Sequence, residues 1–242
     1  VQTCALPIWI LITLYLVVSY WVILYVLTFE QAIYLTIEDG FTETLSVICV
    51  LLAGGLFVYL FFRSKNAGVK YPLRLRRNYF YLLLGLFCIV IVGEEINWGQ
   101  RILGLNAPEW MGERNSNELN LHNLDTLFVF LGIRVTAGKL YFAFVLLYFA
   151  LIPFIVALSA RFRELLDKIQ LPVVPAFIAL FYLLNFVLFR LILGFQMPDG
   201  YNDVSFPQTL MEIYEINFAF LRLWTSVFFY RNKKMGTGSI GS

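Results

Sequence analysis

Charge is scarce in this chain, and histidine is almost absent. Asp, Glu, Lys and Arg make up 14% of its 242 residues, where a soluble domain carries roughly a quarter. A water-soluble helical protein would have to hide several apolar runs of about 20 residues, a length that reads as membrane-spanning. The one histidine, His122, excludes metal sites that need two or three imidazoles. Of the three cysteines, Cys49 and Cys88 lie inside apolar runs. Neither a disulfide framework nor a thiolate metal site is supported, and both read as buried small hydrophobes. No glycine-rich phosphate loop, Ser–His pair at motif spacing or thiol redox pair occurs. The formal net charge of +2 arises from charges sorted by position, and no nucleic-acid partner is expected.

What the chain has instead is hydrophobicity, 60% of residues, in six stretches: 8–29, 41–62, 78–98, 137–160, 172–195 and 207–230. The expected fold class is all-α, a polytopic membrane bundle of six transmembrane helices. Between them lie an amphipathic segment (30–40), a basic loop (63–77), a long polar connection to about residue 134, expected to be partly helical, a short charged loop (161–170) and a polar loop (196–206). Pro153 predicts a kink in the fourth helix, and Pro207 suits the start of the sixth. Residues 1–8, VQTCALPI, resemble the translation of a sequencing-library adapter and are read as a non-native leader, Cys4 included. Residues 9–230 then form one helical domain, and 231–242 a basic, flexible tail.

The charges give this bundle a direction. The loops 63–77 and 161–168 and the tail 231–234 hold 12 of the 18 Lys and Arg residues. They fall on one side if the chain crosses six times, and basic residues favour the cytoplasm. Both termini are therefore expected in the cytoplasm of a bacterial inner membrane. Of 16 acidic residues, Glu164 and Asp167 lie on that side; the others lie in the outer loops or near that face.

The polar segment 93–125 holds the candidate chemistry. Glu94 and Glu95 close the third apolar run, where the helix dipole disfavours anions, so capping does not explain them. If the helix continues, Glu94, Trp98 and Arg101 share a face, and Asn97 meets Arg101. Glu118 and His122, four apart, could hold a metal or pass a proton. Thr209 with Glu212 fits a capping box at the start of the sixth helix. Glu215 has no such explanation, and Arg190 is placed to meet it or Glu94. Glu38, Asp39 and Glu43 open the second helix, where acids stabilise the N-terminus. Asp125 is in place to cap a following helix. The expected catalytic residues are Glu94, Glu95 and His122. Asn97, Gln100, Arg101, Asn123 and Arg190 would bind substrate. Glu94, Glu118, His122 and Glu215 would serve a metal, a hard divalent cation suiting this donor set better than zinc.

The string G-E-E-x-x-W-G-Q-R (93–101), followed by N-E-x-N-L-H-N (117–123), resembles a signature of uncharacterised bacterial multi-pass membrane proteins. A weaker likeness is to the membrane-embedded CAAX-processing glutamate proteases, whose E-E-x-x-x-R motif carries a water-activating glutamate. Here Arg101 falls two positions later, and the histidine-bearing motifs of that family have no counterpart beyond His122. The leading expectation is a hydrolase or transferase acting on a lipid or lipid-linked substrate at the outer leaflet. A cation- or proton-coupled transporter and a non-catalytic assembly partner are the alternatives.

Overall fold

Helices form wherever the sequence runs apolar, because a chain out of reach of water must satisfy its backbone hydrogen bonds internally. The computed structural model describes residues 5–37, 40–65, 71, 75–104, 128–130, 133–194, 201–202 and 204–234. α1 (Ala5–Trp21) runs on as a π-helical segment, Val22–Val26, and α2 (Phe29–Thr36) follows. Thr28 starts α2 with a reciprocal cap: its hydroxyl accepts from Gln31 N–H, and its own N–H donates to the Gln31 side chain. α3 (Phe41–Arg63) and α4 (Tyr79–Glu95) come next.

After α4 the chain makes a 3-10 turn (Asn97–Gly99) and a short helix, α5 (Gln100–Leu103). β1 (Phe128–Phe130) and β2 (Ile133–Val135) then pair antiparallel, with Val129 opposite Arg134. This hairpin was not expected from the sequence. α6 (Ala137–Val145), a π-helical segment (Leu146–Leu151) and α7 (Ile152–Leu158) occupy the fourth predicted stretch. Pro153 sits at the start of α7, immediately after the widened turns. A proline cannot donate to the carbonyl four residues back and collides with it in a regular helix. The π segment is where the hydrogen-bond register changes ahead of it.

The segment read as a charged loop is instead α8 (Ala160–Ile169), capped by Ser159 and closed by Gln170 in the left-handed region. α9 (Ala176–Leu193) and α10 (Ser205–Lys234) complete the chain. α10 starts two residues before Pro207. The Asn202 side chain accepts from Val204 and Ser205 N–H at its first turn. Thr209 is therefore inside the helix, buried, with its hydroxyl accepting from Thr36 at 3.4 Å. The predicted Thr209–Glu212 capping box is replaced by the Asn202 cap.

Among the described residues, three stretches are long and apolar enough to cross a membrane: 29–63, 137–158 and 176–193; the run Ile10–Val26 is apolar but shorter. Their outer faces, and that of α4, are largely apolar. Leu51, Leu52, Leu83, Ile89, Leu180 and Leu191 are each half exposed or more. So large an exposed apolar surface suits lipid.

α3 lies between α4 and α10, and α10 also packs on α9. Inside a membrane the hydrophobic effect does not drive this association; close packing and buried hydrogen bonds do. Gly85 and Gly54 let α3 and α4 approach: a Cβ at Gly85 would come within 2.8 Å of Val58 Cγ2, and one at Gly54 within 3.0 Å of Cys88 Cβ. Phe57, Leu60, Phe149, Ile178 and Leu221 fill the main core. Polar bonds cross it. Tyr20 donates to Asn185 Oδ1 at 2.9 Å, and Asn217 donates to the same atom at 3.1 Å and to Ser19 at 3.1 Å.

The end of the bundle that carries the basic loops is tied by Asn78. Its side chain accepts from Phe80 N–H and donates to the Gln170 carbonyl at 2.7 Å, and its N–H donates to the buried Ser64 hydroxyl at 2.8 Å. Asn78→Ala removes a helix cap and a bond between distant segments. We expect a loss of about 1–2 kcal/mol, read as a lower midpoint on denaturation in detergent. An unchanged midpoint would show that the knot carries no stability.

Candidate functional site

The end of α4 is shaped by Gly93, Trp98 and the turn between them. Asn97 and Trp98 adopt positive φ, 48° and 52°, followed by Gly99 at 74°. Three left-handed residues in a row stop the helix. The Trp98 indole lies against Gly93, where a Cβ would stand 2.8 Å from a ring carbon. The indole N–H donates to Glu94 Oε1 at 2.7 Å. The expectation of a continuous helix carrying Glu94, Trp98 and Arg101 on one face is corrected here. Glu94 and Trp98 meet because the helix ends and the ring folds over it. Trp98 is 41% exposed, as an aromatic ring at a membrane surface would be.

Gly93→Ala forces the indole off α4 and should free the Glu94 carboxylate. The expected readout is a red shift of tryptophan emission that disappears when Trp98→Phe is added. An unchanged spectrum would mean that the ring does not rest on Gly93.

Glu94 and Glu95 open onto a cavity of about 640 Å³ between α4, α6 and α10. Glu215 and Arg222 of α10 line it too, and Tyr141 closes it from α6. The remaining wall includes Phe87, Val90, Ile91, Leu140 and Phe144. Glu215 also interacts electrostatically with Glu95, Glu212 and Glu43, so acidic groups from α3, α4 and α10 gather around it. Arg222 interacts in the same way with Glu95.

Arg222 is 2% exposed. Its Nη2 donates to the Tyr141 hydroxyl. Its guanidinium carbon lies 5.4 Å from the Tyr141 ring centre and 5.6 Å from that of Phe218, within range of cation–π attraction. Its Nε is buried and has no hydrogen-bond partner among the described residues. Glu215 and Arg222 are seven residues apart on one helix, about 10 Å along its axis. The cavity thus has an acidic end near the close of α4 and a cationic end deeper in the bundle.

Other predicted site residues fall elsewhere. Arg190 is exposed on α9 and is not part of the cavity wall, so the guanidinium at this site is Arg222 in its place. Asn97 and Gln100 are buried in and just after the turn that follows α4. The Arg101 backbone belongs to α5, and its side chain lies outside the described residues. Glu38, Asp39, Glu118, His122, Asn123 and Asp125 lie outside them as well. Among the described residues, no three of His, Cys, Asp and Glu are grouped as metal ligands. The sequence marks Arg222 by its depth in an apolar run, whereas nothing in it marks Tyr141. An arginine eight residues from the basic end of an apolar helix marks a functional position by its cost alone.

These features define a predominantly helical protein with one short β-hairpin, helices long and apolar enough to cross a membrane, and an amphipathic cavity against α4, α6 and α10. No family profile, curated protein or solved structure matches the chain.

Proposed function

We propose that the chain crosses a bacterial inner membrane six times with both termini in the cytoplasm, and that its cavity acts on a lipid or lipid-linked substrate as a hydrolase or transferase. One observation carries this reading: residues distant in sequence, Glu94, Glu95, Glu215 and Arg222, face one cavity whose remaining wall is largely apolar. Acids inside an apolar bundle are costly and are kept where they bind or react. The apolar wall suits a substrate with a hydrocarbon tail, and the paired carboxylates suit proton transfer to or from water. Glu95, whose charge acts on both Glu215 and Arg222, is the general base in this reading. His122 assists as acid or base from the outer loop.

The test is purified protein with Glu94→Gln, Glu95→Gln and His122→Ala, each assayed for turnover of a membrane lipid extract. Turnover by the native chain that falls in these variants supports the enzyme. Equal turnover in all four overturns it. Transport is the second reading, favoured by the depth of Arg222 in the bundle. Flux into proteoliposomes that is lost in Glu215→Gln, without lipid turnover, would establish it.

A further inference from the structure

α8 lies where two apolar spans end. The run 137–158 closes at Leu158, and the run 176–193 begins at Ala176. Extended Ser159 breaks the helix between α7 and α8. A helix at that level meets the head groups and upper acyl chains of a bilayer. The bundle holds it there: Leu166 is buried, and the Gln170 carbonyl just past α8 accepts from Asn78 at 2.7 Å. One edge of α8 stays uncovered. Leu165 is 53% exposed, and Leu158, at the close of α7, 88%. Arg161 and Lys168 stand four residues before Leu165 and three after it, so the three share one line along the helix. Both cations are exposed. Around the helix they come between Leu165 and the acids Glu164 and Asp167, giving the order apolar, basic, acidic.

More cations gather at this end. Ser64, Asn78 and Gln170 are joined by bonds of 2.8 and 2.7 Å. Arg63, Lys65, Arg76 and Lys168 each lie within two residues of that knot, and all four are exposed. Water suits the cations and penalises the leucines, whereas hydrocarbon does the reverse. A surface that is apolar within and negative at its rim satisfies both. A second copy on the same face would set cation against cation. We propose that α8 is an interfacial helix whose Leu165, with Leu158, sits among acyl chains, and that Arg161, Lys168 and the neighbouring Arg63, Lys65 and Arg76 gather anionic phospholipids around it. The long stems of Arg161 and Lys168 let their charged ends reach the phosphates while the leucine edge sinks. This inference needs the neighbouring spans to sit in a bilayer and is independent of the cavity and of any chemistry there.

The experiment places a bimane fluorophore on the full chain in nanodiscs, at Leu165→Cys or, on the far side of α8, Asp167→Cys. Cys4 is replaced by serine, and Cys49 and Cys88 are buried. In bilayers of brominated phosphatidylcholine, quenching at position 165 should exceed that at 167 by at least about threefold. In a mixed bilayer the bromines are then carried by a minor fraction of phosphatidylglycerol or by an equal fraction of phosphatidylcholine. The glycerol lipid should quench the label at 165 about threefold more than the choline lipid. Arg161→Gln combined with Lys168→Gln should bring the two lipids close to parity, as should high salt in the native chain. Both substituted residues are exposed, so folding should hold. Equal quenching at 165 and 167 overturns the proposal, because α8 then does not seat its leucine edge in the leaflet. Equal quenching by the two lipids, or a preference unchanged in the double variant, overturns it as well. So does a label at 165 that neither bromine nor water reaches, which would mark another protein or a second copy as the cover.

Discussion

Arg222→Met should leave the protein as stable as before, or more stable, while reducing lipid turnover at least about a hundredfold. The magnitudes point this way. A buried donor without a partner, as Nε is, costs about 1–3 kcal/mol. Among the described residues no carboxylate closes an ion pair with Arg222; its bonds are to the Tyr141 hydroxyl and the two rings. Cation–π contacts of this kind contribute about 0.5–2 kcal/mol, which the unmet donor offsets. Methionine has a similar length and no charge to desolvate, which removes the desolvation cost of the buried guanidinium and offsets the loss of its attraction to Glu95. Tyr141, which loses its partner, lines the cavity. Turnover is different, because the lost interaction at a substrate anion is charge-assisted. Thermal denaturation in detergent and a lipid assay on the same preparation separate the two effects. A large fall in stability with proportionate loss of activity would make Arg222 a structural residue.

Glu95→Gln is the second large effect. If Glu95 moves the proton, removing its basicity should lower turnover by about 10²- to 10⁴-fold. Glutamine keeps the shape and one of the two accepting oxygens, so folding should hold. Trp98→Phe provides the contrast. It breaks one bond to Glu94 and leaves both carboxylates in place, so turnover should fall by less than about tenfold. A similar loss in both variants would mean that the end of α4 acts as a unit and that Glu95 has no separate role.

The helices themselves were legible from the sequence, because long, predominantly apolar runs have few alternatives. α3 and α4 fall within a few residues of their predicted bounds. The rotation of each helix was not legible. α4 and α9 have apolar residues on every side, and such a helix does not announce which face is buried. That is why Arg190, at a plausible depth, was expected in the site, whereas it is exposed on α9. Glu94 and Glu95 could be found because they stand at an unfavourable helix end. The turn that fixes Glu94 could not, since nothing in Asn97-Trp98 announces two positive φ values. Only Gly93, with a ring to receive, and Gly99 hint at it. The charged stretch that became α8 was misread for a related reason. Its polar residues suggested a loop, but its apolar positions, Phe162, Leu165, Leu166 and Ile169, recur at helical spacing.

The account depends on the acids and Arg222 sharing a cavity that opens away from the cytoplasm. Gly138 lines that cavity, and a Cβ added there meets nothing within 4 Å, so a cysteine fits. Cys49 and Cys88 are buried, which leaves little background once Cys4 is replaced by serine. Gly138→Cys should react with a membrane-impermeant maleimide in right-side-out vesicles, and a lipid bound in the cavity should slow the reaction. Labelling confined to inverted vesicles, or unaffected by any lipid, would contradict the account.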